Sequence, residues 1–364
     1  MSHQPKSPED LSQARILAQR LVGPLPDPLA AVRHLGCVQS QDLPGAVTSI
    51  ALRTEKRSLD EVVAAFDDGL LVRSWTMRGT LHTVASADLG WILALTGPRM
   101  MATARTRRAQ LGIDDQMLAS AQAVALQTLS GGRRATRTQM LDALDRAGLL
   151  QGVAQRGYHL LSTLAMQQVI VQGPMGRKAG GGLDQLFVLS EEWITDPHVP
   201  DDPVAHWAGA YLTGHGPASL ADLVRWTGLT KTACRVGIGA HPRFERLEDP
   251  AENGPGEILF HAPGLGQRLA GRRAETSRLL LLPGFDELVL GYADRSCTVP
   301  PEHAQAIVPG NNGMFKATVV DRGRVVGTWR RPTRAGTLPP VQWLVEPTPE
   351  QLRGVEEAAA TMPV

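Results

Sequence analysis

Two neutral amides, Gln39 and Gln41, are the side chains whose type and spacing most suggest chemistry. They stand in the stretch VQSQD at residues 38–42, which follows a predicted helix and precedes LPG at 43–45. A glutamine amide is not a strong base, but it both donates and accepts hydrogen bonds. A pair can therefore hold a water molecule or present a carbonyl oxygen to a developing positive charge, which is positional and electrostatic catalysis. The alternative is that both are ordinary amides at a helix end.

Other reaction chemistries have little support in the sequence. The ten histidines show no paired metal-binding spacing, and the glycine run at 180–182 lacks the Lys-Ser/Thr arrangement of a phosphate loop, so no metal or cofactor is expected. The cysteines Cys37, Cys234 and Cys297 are isolated, which fits a reducing compartment. The N-terminus has no apolar signal segment and no stretch is long enough to span a membrane. We therefore expect a soluble, cytoplasmic protein.

The distribution of charge bears on nucleic-acid binding more than its total does. The net charge is only +1 over 364 residues, so binding to DNA would require clustered cations. Four clusters of arginines are present: Arg99, Arg105, Arg107 and Arg108; Arg133, Arg134 and Arg137; Arg268, Arg272, Arg273 and Arg278; and Arg322, Arg324, Arg330, Arg331 and Arg334. The planar guanidinium suits phosphate. A solvated helix or hairpin face is the alternative for each cluster.

Helices followed by a two-stranded ribbon form the first part of the chain. Proline after Ser7 and a capping box that begins at Ser58 predict helix starts. A third helix that runs towards Arg53 is expected to carry the amide stretch at or just inside its beginning. Residues 73–84 then change to a period of two, which predicts two strands. This order is typical of a winged helix, here assigned to residues 1–110.

The same order recurs twice. After further predicted helices, two strands flank a glycine-rich loop with Arg177 and Lys178, which predicts a second winged helix over residues 111–200. A third unit is assigned to residues 201–271 in the same way, with the turn-rich segment 250–256 between its strands.

The C-terminal region, residues 272–364, changes to mostly β-structure. Strand candidates flank a hairpin turn at 321–323, and a capped closing helix is expected after Thr348. A small barrel or curled sheet is the expected arrangement. The predicted fold class is therefore α+β, with three tandem winged-helix units and a β-barrel-like C-terminal region.

Five phrases of the sequence resemble those of the bacterial AlkZ-like winged-helix DNA glycosylases. They are QSQ at 39–41, WTMRGTLH at 75–82, LPGFDE at 282–287, GYADR at 291–295 and GTWR at 327–330. Their order and the length of the chain match the family. The resemblance implies tandem winged helices that form a C-shaped, DNA-embracing body with a β-barrel.

The resemblance also implies an activity. It implies excision of N-alkylated purines and, in one branch of the family, unhooking of bulky natural-product adducts or interstrand crosslinks. The two glutamines of the family's glutamine–aliphatic–glutamine motif fall on Gln39 and Gln41. Ser40 departs from the pattern at the aliphatic position, where a side chain is expected to pack inward and a small serine can be tolerated.

The chemistry of neutral amides suits this class of substrate. A purine alkylated at N7 or N3 already carries positive charge, so its glycosidic bond breaks without protonation by the enzyme. The hypothesis is therefore hydrolysis by a water held between Gln39 and Gln41. No lysine stands in an obvious nucleophile context, which predicts a monofunctional enzyme without strand cleavage. The expected partner is duplex DNA containing alkylated purines, bound by a monomer.

Five residues are candidates for contacting DNA. Arg78 and His82 stand on the first predicted ribbon, although a partly buried structural role is the alternative for His82. Arg177 and Lys178 stand on the second loop, and Arg295 is the candidate for a hairpin that probes the duplex.

Other polar and aromatic residues have simpler interpretations. Asp42 could assist the water, but an N-cap role is favoured. Asp286 and Glu287 are interpreted as structural partners of an arginine rather than as catalytic acids. Trp75 and Trp329 are assigned to the core rather than to base stacking.

Two other functions remain compatible with these features. A winged-helix transcription regulator would bind DNA without chemistry, but it usually carries one such unit and a dimerisation element. A structural DNA-binding or scaffold protein would leave the glutamines idle. A glycosylase assay separates these hypotheses, since fold alone does not determine function.

Overall fold

The fold was analysed in a computed structural model, which describes residues 5–178, 182–248, 257–332 and 337–363. The chain forms two compact units. The first combines Met1–Glu61 with Val204–Val364, and the second is Val62–Pro203. The division into four segments at residues 110, 200 and 271 and the number of winged-helix units stay predictions.

Helices and strands alternate along both units. The α-helices are α1 (Pro8–Ala18), α2 (Pro28–Leu35), α3 (Leu43–Ala51), α4 (Leu59–Asp67), α5 (Leu89–Thr103), α6 (Arg105–Gln110), α7 (Asp115–Leu129), α8 (Arg137–Arg146), α9 (Arg156–Met166), α10 (Ser190–Trp193), α11 (Pro203–His215), α12 (Leu220–Thr227), α13 (Lys231–Gly239), α14 (Leu265–Gly271), α15 (Arg273–Thr276), α16 (Glu287–Leu290), α17 (Ala304–Ile307) and α18 (Pro349–Ala360). The strands are β1 (Val38–Gln39), β2 (Leu71–Met77), β3 (Thr80–Ala85), β4 (Ile170–Arg177), β5 (Leu183–Leu189), β6 (Ala218–Ser219), β7 (Glu245–Glu248), β8 (Ile258–His261), β9 (Leu280–Leu282), β10 (Thr318–Asp321), β11 (Arg324–Trp329) and β12 (Val341–Trp343). The mixed α/β class is as expected.

Local capping explains several helix starts. The Ser7 side chain accepts a hydrogen bond from the Asp10 N–H at the start of α1, where Pro8 occupies the first turn. Complete capping boxes begin α12 at Ser219 and α18 at Thr348. Each cap satisfies backbone N–H groups that have no partner within the helix.

The second unit packs helices against an antiparallel sheet. Within this unit the strand order is β3-β2-β4-β5, so the two predicted ribbons share one sheet. Helices α7, α8 and α9 contribute to its core, where Leu129, Leu160 and Phe187 are buried. The β2–β3 turn uses Arg78 and Gly79 at φ of 51° and 71°, the left-handed conformation of a two-residue hairpin turn.

The C-terminal strands form an open sheet rather than the expected barrel. Their order is β12-β11-β10-β9, and no pairing among the described residues joins β12 to β9. The strands are short, and α18 packs against β9 with Val355 buried beside Val319 and Trp329. Helix α18 therefore covers a face of the sheet that would line the interior of a closed barrel. The expected hairpin turn is present, with Arg322 and Gly323 at φ of 50° and 85°.

The first unit joins both ends of the chain in one core. Leu17 on α1 packs in a cluster with Leu282, Leu288 and Val325 from the C-terminal region. The first unit also contains the β7–β8 hairpin, whose strand β8 pairs with β6 to form a three-stranded sheet. None of the described helices is long and apolar enough to cross a membrane.

Candidate active site

The two glutamines lie side by side in the first unit. Gln39 ends β1, and Gln41 follows in a bend. The stretch therefore lies at the beginning of α3, as expected, but it is extended and not inside the helix. In extended backbone, residues two apart point to the same side. Gln39 Nε2 accordingly donates a hydrogen bond of 2.8 Å to Gln41 Oε1. Gln39 is 5% exposed, whereas Gln41 is exposed to solvent, so the pair connects the interior to the surface.

The residues around the pair fix its backbone. Ser40 is fully buried, as expected for an inward-packing position, and its hydroxyl donates to the Val38 carbonyl at 2.9 Å. Asp42 occupies the N-cap position of α3, as favoured, but its side chain makes no capping hydrogen bond. Its carboxylate instead lies over Gly45, where a Cβ would come within 2.5 Å of Asp42 Oδ2 and 3.2 Å of the Gly284 carbonyl. A side chain at position 45 would therefore require the Asp42 carboxylate to move.

A buried carboxylate, Glu287, lies directly behind the motif. Its Oε1 accepts the Gln39 backbone N–H at 3.0 Å, and its Oε2 accepts the Trp226 indole N–H at 3.1 Å. The Nε2 of His215 lies 3.3 Å from the same Oε2. Burial alone would raise the pKa of Glu287, but the hydrogen bond and charge of His215, with the other donors, hold it below its usual value. Glu287 is therefore an anion in the folded protein at neutral pH.

Aromatic side chains enclose this carboxylate. The rings of Tyr211 and His215 stack at 4.5 Å, and Trp226 lies 4.9 Å from Tyr211 between ring centroids. The Tyr211 hydroxyl donates to the Gly291 carbonyl at 2.8 Å, which attaches the cluster to the end of α16. The low-polarity surroundings strengthen the electrostatic effect of Glu287 on its neighbours.

A second buried acid, Asp286, joins α3 to the start of α16. Arg53 donates to both of its carboxylate oxygens, at 2.9 and 3.0 Å, and the Ser49 hydroxyl donates at 2.6 Å. Burial would raise the pKa of Asp286, but the Arg53 charge and these hydrogen bonds lower it. The expectation of an arginine partner is confirmed for Asp286. It is wrong for Glu287, whose partners are a histidine, an indole and the motif backbone.

The first ribbon places Arg78 and His82 together. Arg78 Nη2 lies 3.4 Å from His82 Nε2, and His82 Nδ1 lies 3.0 Å from the Thr80 carbonyl. His82 is 0% exposed; burial and the Arg78 charge lower its pKa well below the usual value. The imidazole is therefore neutral and supports the hairpin turn from inside, so His82 does not itself present a surface in this structure.

The remaining candidates for contacting DNA are Arg177, Lys178 and Arg295. Arg177 and Lys178 are exposed at the end of β4, and the Lys178 N–H donates to the Gly182 carbonyl across the hairpin. The loop tip at 179–181, the turn segment 250–256 and Arg334 lie outside the described residues. Arg295 is half-buried and lines a cavity in the first unit. Their contacts with DNA stay predictions.

The assigned core tryptophans and some clustered arginines have structural partners. Trp75 and Trp329 are buried, as expected; Trp75 donates to the Tyr158 hydroxyl at 3.1 Å, and Trp329 donates to the Leu282 carbonyl at 2.8 Å. Arg331 donates to the Pro44 carbonyl at 3.1 Å, which ties the last arginine cluster to the first turn of α3.

The sequence did not reveal the residues behind the motif. His215 and Trp226 lie on helices more than 170 residues after Gln39, and nothing in their spacing relates them to it. A useful signal was present in the phrase LPGFDE, whose last acid is Glu287. Among the described residues, no group of three histidine, cysteine or acidic side chains is arranged to hold a metal ion.

The arrangement can position a water and stabilise positive charge. Gln39 is tied to Gln41 through its side chain and to Glu287 through its backbone. The amides supply donors and acceptors without titrating near neutral pH. The Glu287 carboxylate makes the potential at the motif more negative, but less than an isolated charge would, because His215 lies 3.3 Å from it. This combination suits a reaction in which a cation develops at a bound substrate.

Comparisons with known proteins identify the family and the fold of this chain. The sequence profile of the family described as "DNA glycosylase AlkZ-like" matches residues 32–362. A protein of Streptomyces sahachiroi named "Interstrand DNA cross-link repair glycosylase" is 26% identical over 329 residues, which cover 82% of this chain and 80% of that protein. The solved structure of the Streptomyces sahachiroi DNA glycosylase AlkZ is similar over 99% of both chains, with a TM-score of 0.73 and 22% identity. The structural likeness establishes the fold.

Proposed function

This chain belongs to the AlkZ-like DNA glycosylase family, and we propose that it hydrolyses the N-glycosidic bond of cationic, N-alkylated purines in duplex DNA. The enzyme is a DNA glycosylase; the substrate and the mechanism are our proposal. The observation that carries it is the amide pair of Gln39 and Gln41, which is held from behind by the buried Glu287 anion.

The leaving group needs no acid. A purine alkylated at N7 or N3 departs as a neutral base, taking the electron pair of its bond to C1′. Positive charge then develops on the deoxyribose. A carbonyl oxygen of the motif stabilises this charge at short range, and Glu287 contributes at longer range.

The amides position the water that attacks C1′. In the free protein the Gln39 Nε2 donates directly to Gln41 Oε1. A water that inserts between them exchanges this bond for one accepted from Gln39 and one donated to Gln41, so no polar group loses its partner. The water oxygen forms the new bond to C1′, and its proton leaves to solvent. The products are the free alkylated base and an abasic site, without strand cleavage.

The substrate class extends to larger lesions. The relative named as an interstrand crosslink repair glycosylase supports a role on bulky adducts or crosslinks, which place an alkyl group on the same purine nitrogens. We propose that the protein acts on such lesions as a monomer on duplex DNA in the cytoplasm. The motif makes no demand on the size of the alkyl group, because it acts at the sugar.

The test is release of 7-methylguanine from duplex DNA by the purified protein. The expected products are free base and abasic sites, so the strand breaks only after alkali. Borohydride should trap no covalent complex, since no lysine forms a Schiff base. Strand cleavage without alkali would contradict the monofunctional mechanism. Selective binding of one DNA sequence with no base release would favour a transcription regulator instead.

A further inference from the structure

A cavity of about 480 Å³ lies in the first unit, beside α16. The segment after α16 forms one side, with Arg295 and Asp294, and Arg225 of α12 contributes from another. Val299, Ile307 and Phe315 are among its apolar lining residues. A volume of this size falls within the range of about 300–1,000 Å³ found for small-ligand sites.

The polar part of the cavity is cationic. Arg225 Nη1 donates to the Leu290 carbonyl at 3.0 Å, which fixes that guanidinium in place. Burial and the like charge of Arg225 lower the pKa of Arg295 to about 10, so Arg295 remains protonated at neutral pH. The Nε of Arg295 is buried and has no hydrogen-bond partner among the described residues. A buried donor without a partner is destabilising, and an anionic ligand oxygen would supply the missing acceptor.

The acid in the cavity is partly engaged by the protein. Asp294 Oδ1 accepts the Ser296 N–H at 2.8 Å, and Oδ2 lies 3.1 Å from the Ser296 hydroxyl, which donates to it. The lining holds two guanidinium groups and one carboxylate, and the carboxylate of Asp222, which also acts on Arg295, lies 3.8 Å from Arg15. An anion fits this end of the cavity, whereas a cationic alkylated purine would be repelled.

The apolar part of the cavity adds a second requirement. The Arg295 guanidinium lies 5.1 Å from the centroid of the Phe315 ring, so the cation and the aromatic surface are adjacent. Val299 and Ile307 extend this surface. A ligand that satisfies both ends has an anionic group beside a flat or apolar body. A nucleotide has this combination, because it joins a phosphate to a sugar and an aromatic base.

We propose that this cavity binds an undamaged nucleotide, with its phosphate on Arg295 and Arg225 and its sugar or base against Phe315 and Ile307. This inference rests on the proposed function, which makes a DNA strand the source of the nucleotide. A free nucleoside monophosphate carries the same chemistry. Gln39 and Gln41 do not line this cavity. The cavity therefore takes no part in base release and contributes affinity for the DNA beside the lesion.

The experiment measures binding of a short fluorescent duplex without lesions over a range of salt concentrations. Arg295→Gln should weaken binding about tenfold and reduce the slope of log K against log salt by about one. Asn311→Asp, at an exposed position that lines the cavity, should weaken binding similarly by adding negative charge. Asn311 has a φ of 52°, and aspartate also tolerates this left-handed conformation, so the substitution should not strain the backbone. The matched control is Arg353→Gln, an exposed arginine on α18.

Competition with millimolar dCMP separates the two sources. Loss of duplex affinity in Arg295→Gln, with no effect of dCMP on the wild type, assigns the cavity to the strand. An Arg295-dependent rise of the melting temperature with dCMP, with no loss of duplex affinity in Arg295→Gln, assigns it to free nucleotide. The proposal is overturned if both cavity variants bind as the Arg353→Gln control does and dCMP has no Arg295-dependent effect. Thermal melting checks that each variant is folded.

The outcome is independent of base release, because the duplex carries no lesion. A protein that binds as expected but releases no 7-methylguanine would contradict the glycosylase mechanism and leave the cavity assignment in place. If the protein releases base normally but Arg295→Gln binds the duplex as the control does, the glycosylase mechanism stands and the cavity assignment fails.

Discussion

Glu287 places a buried carboxylate, paired with His215, next to a motif whose own side chains are neutral. It is 0% exposed and accepts the Gln39 backbone N–H, so it acts on the motif both by geometry and by charge. Because it does not touch the substrate in the proposed reaction, it is a positioning residue. Its contribution should therefore appear in the rate of bond cleavage rather than in the binding of DNA.

We expect Glu287→Gln to lower the single-turnover rate of base release about tenfold, because the amide keeps one oxygen for the Gln39 N–H but loses the charge and the oxygen that accepts the Trp226 N–H. Glu287→Ala should lower it about a hundredfold, because Gln39 also loses its backbone partner. The apparent affinity for damaged duplex should change little in Glu287→Gln. Glu356→Gln, which removes an exposed acid of α18, is the matched control.

A purely structural role for Glu287 would give another pattern. Both variants would then lose rate only in proportion to the fraction of unfolded protein, and a lower temperature would restore it. A rate that falls while melting and DNA affinity hold is the signature of positioning.

At the same scale, the glutamines illustrate what residue types alone predict. The spacing of Gln39 and Gln41 suggested that their amides act together, and they are hydrogen-bonded to each other. Their position at the start of α3 was predicted, but the short strand β1 was not, because two residues have no periodic pattern. His82 has an equally distinctive residue type, but its burial followed from packing that residue types do not show.

At the scale of elements, one buried ion pair sets the position of α3 relative to α16. Arg53 and Asp286 are 0% and 1% exposed at their side chains, and the pair is bidentate. Since α3 follows the amide motif and α16 carries Glu287, this pair aligns the two elements that form the site. Removing one partner leaves the other charge buried without compensation.

Asp286→Asn should lower the free energy of unfolding by about 3–5 kcal/mol at neutral pH, measured by urea denaturation. The pKa of Asp286 is lowered in the folded protein, so its stabilisation is complete above the unfolded value of about 3.9 and is lost as pH falls through the folded value. The difference between wild type and variant should therefore shrink only in acid. Lys56→Met, which breaks the exposed Lys56–Glu61 pair, is the control and should have a smaller effect. Equal losses in both variants would refute the role of the buried pair.

The second hairpin gives a prediction about DNA binding. Arg177 and Lys178 are exposed where β4 ends, and a cation that meets a phosphate there releases a counterion. Replacing both with glutamine should weaken binding to all duplexes alike and reduce the salt slope by about two. Anisotropy titrations with several unrelated duplexes measure this, with Arg353→Gln as the control for lost surface charge. A loss confined to one DNA sequence would contradict a backbone contact.

The elements themselves were largely predictable. Capping residues such as Ser7, Ser219 and Thr348 act within one helical turn, so their effect can be read locally. The open form of the C-terminal sheet was not predictable from the sequence. Closure into a barrel depends on which strands pair and on α18, which packs over the face near Val355.

At the scale of the whole molecule, the chain returns to its beginning to complete the site. Gln39 and Glu287 are separated by 248 residues, yet both belong to the unit formed by Met1–Glu61 and Val204–Val364. Contacts of this sequence separation leave no trace in local propensity. The phrases QSQ and LPGFDE, which contain Gln39 and Glu287, helped to identify the family. They did not indicate that these two residues contact each other.

The family match over residues 32–362 covers both units. The predicted family and enzyme class are confirmed by this match. The chemistry proposed at the motif is more specific, and it depends on the claim that two neutral amides suffice when damage has already weakened the bond.

The most direct test is the single-turnover rate of 7-methylguanine release from duplex DNA by wild type and by the Gln39→Ala, Gln41→Ala double variant. Both proteins must be folded and bound to the duplex at saturation. We predict a loss of at least about a hundredfold in the double variant, comparable to the loss of a preorganised electrostatic group elsewhere. Release of base by the double variant at the wild-type rate would contradict the account.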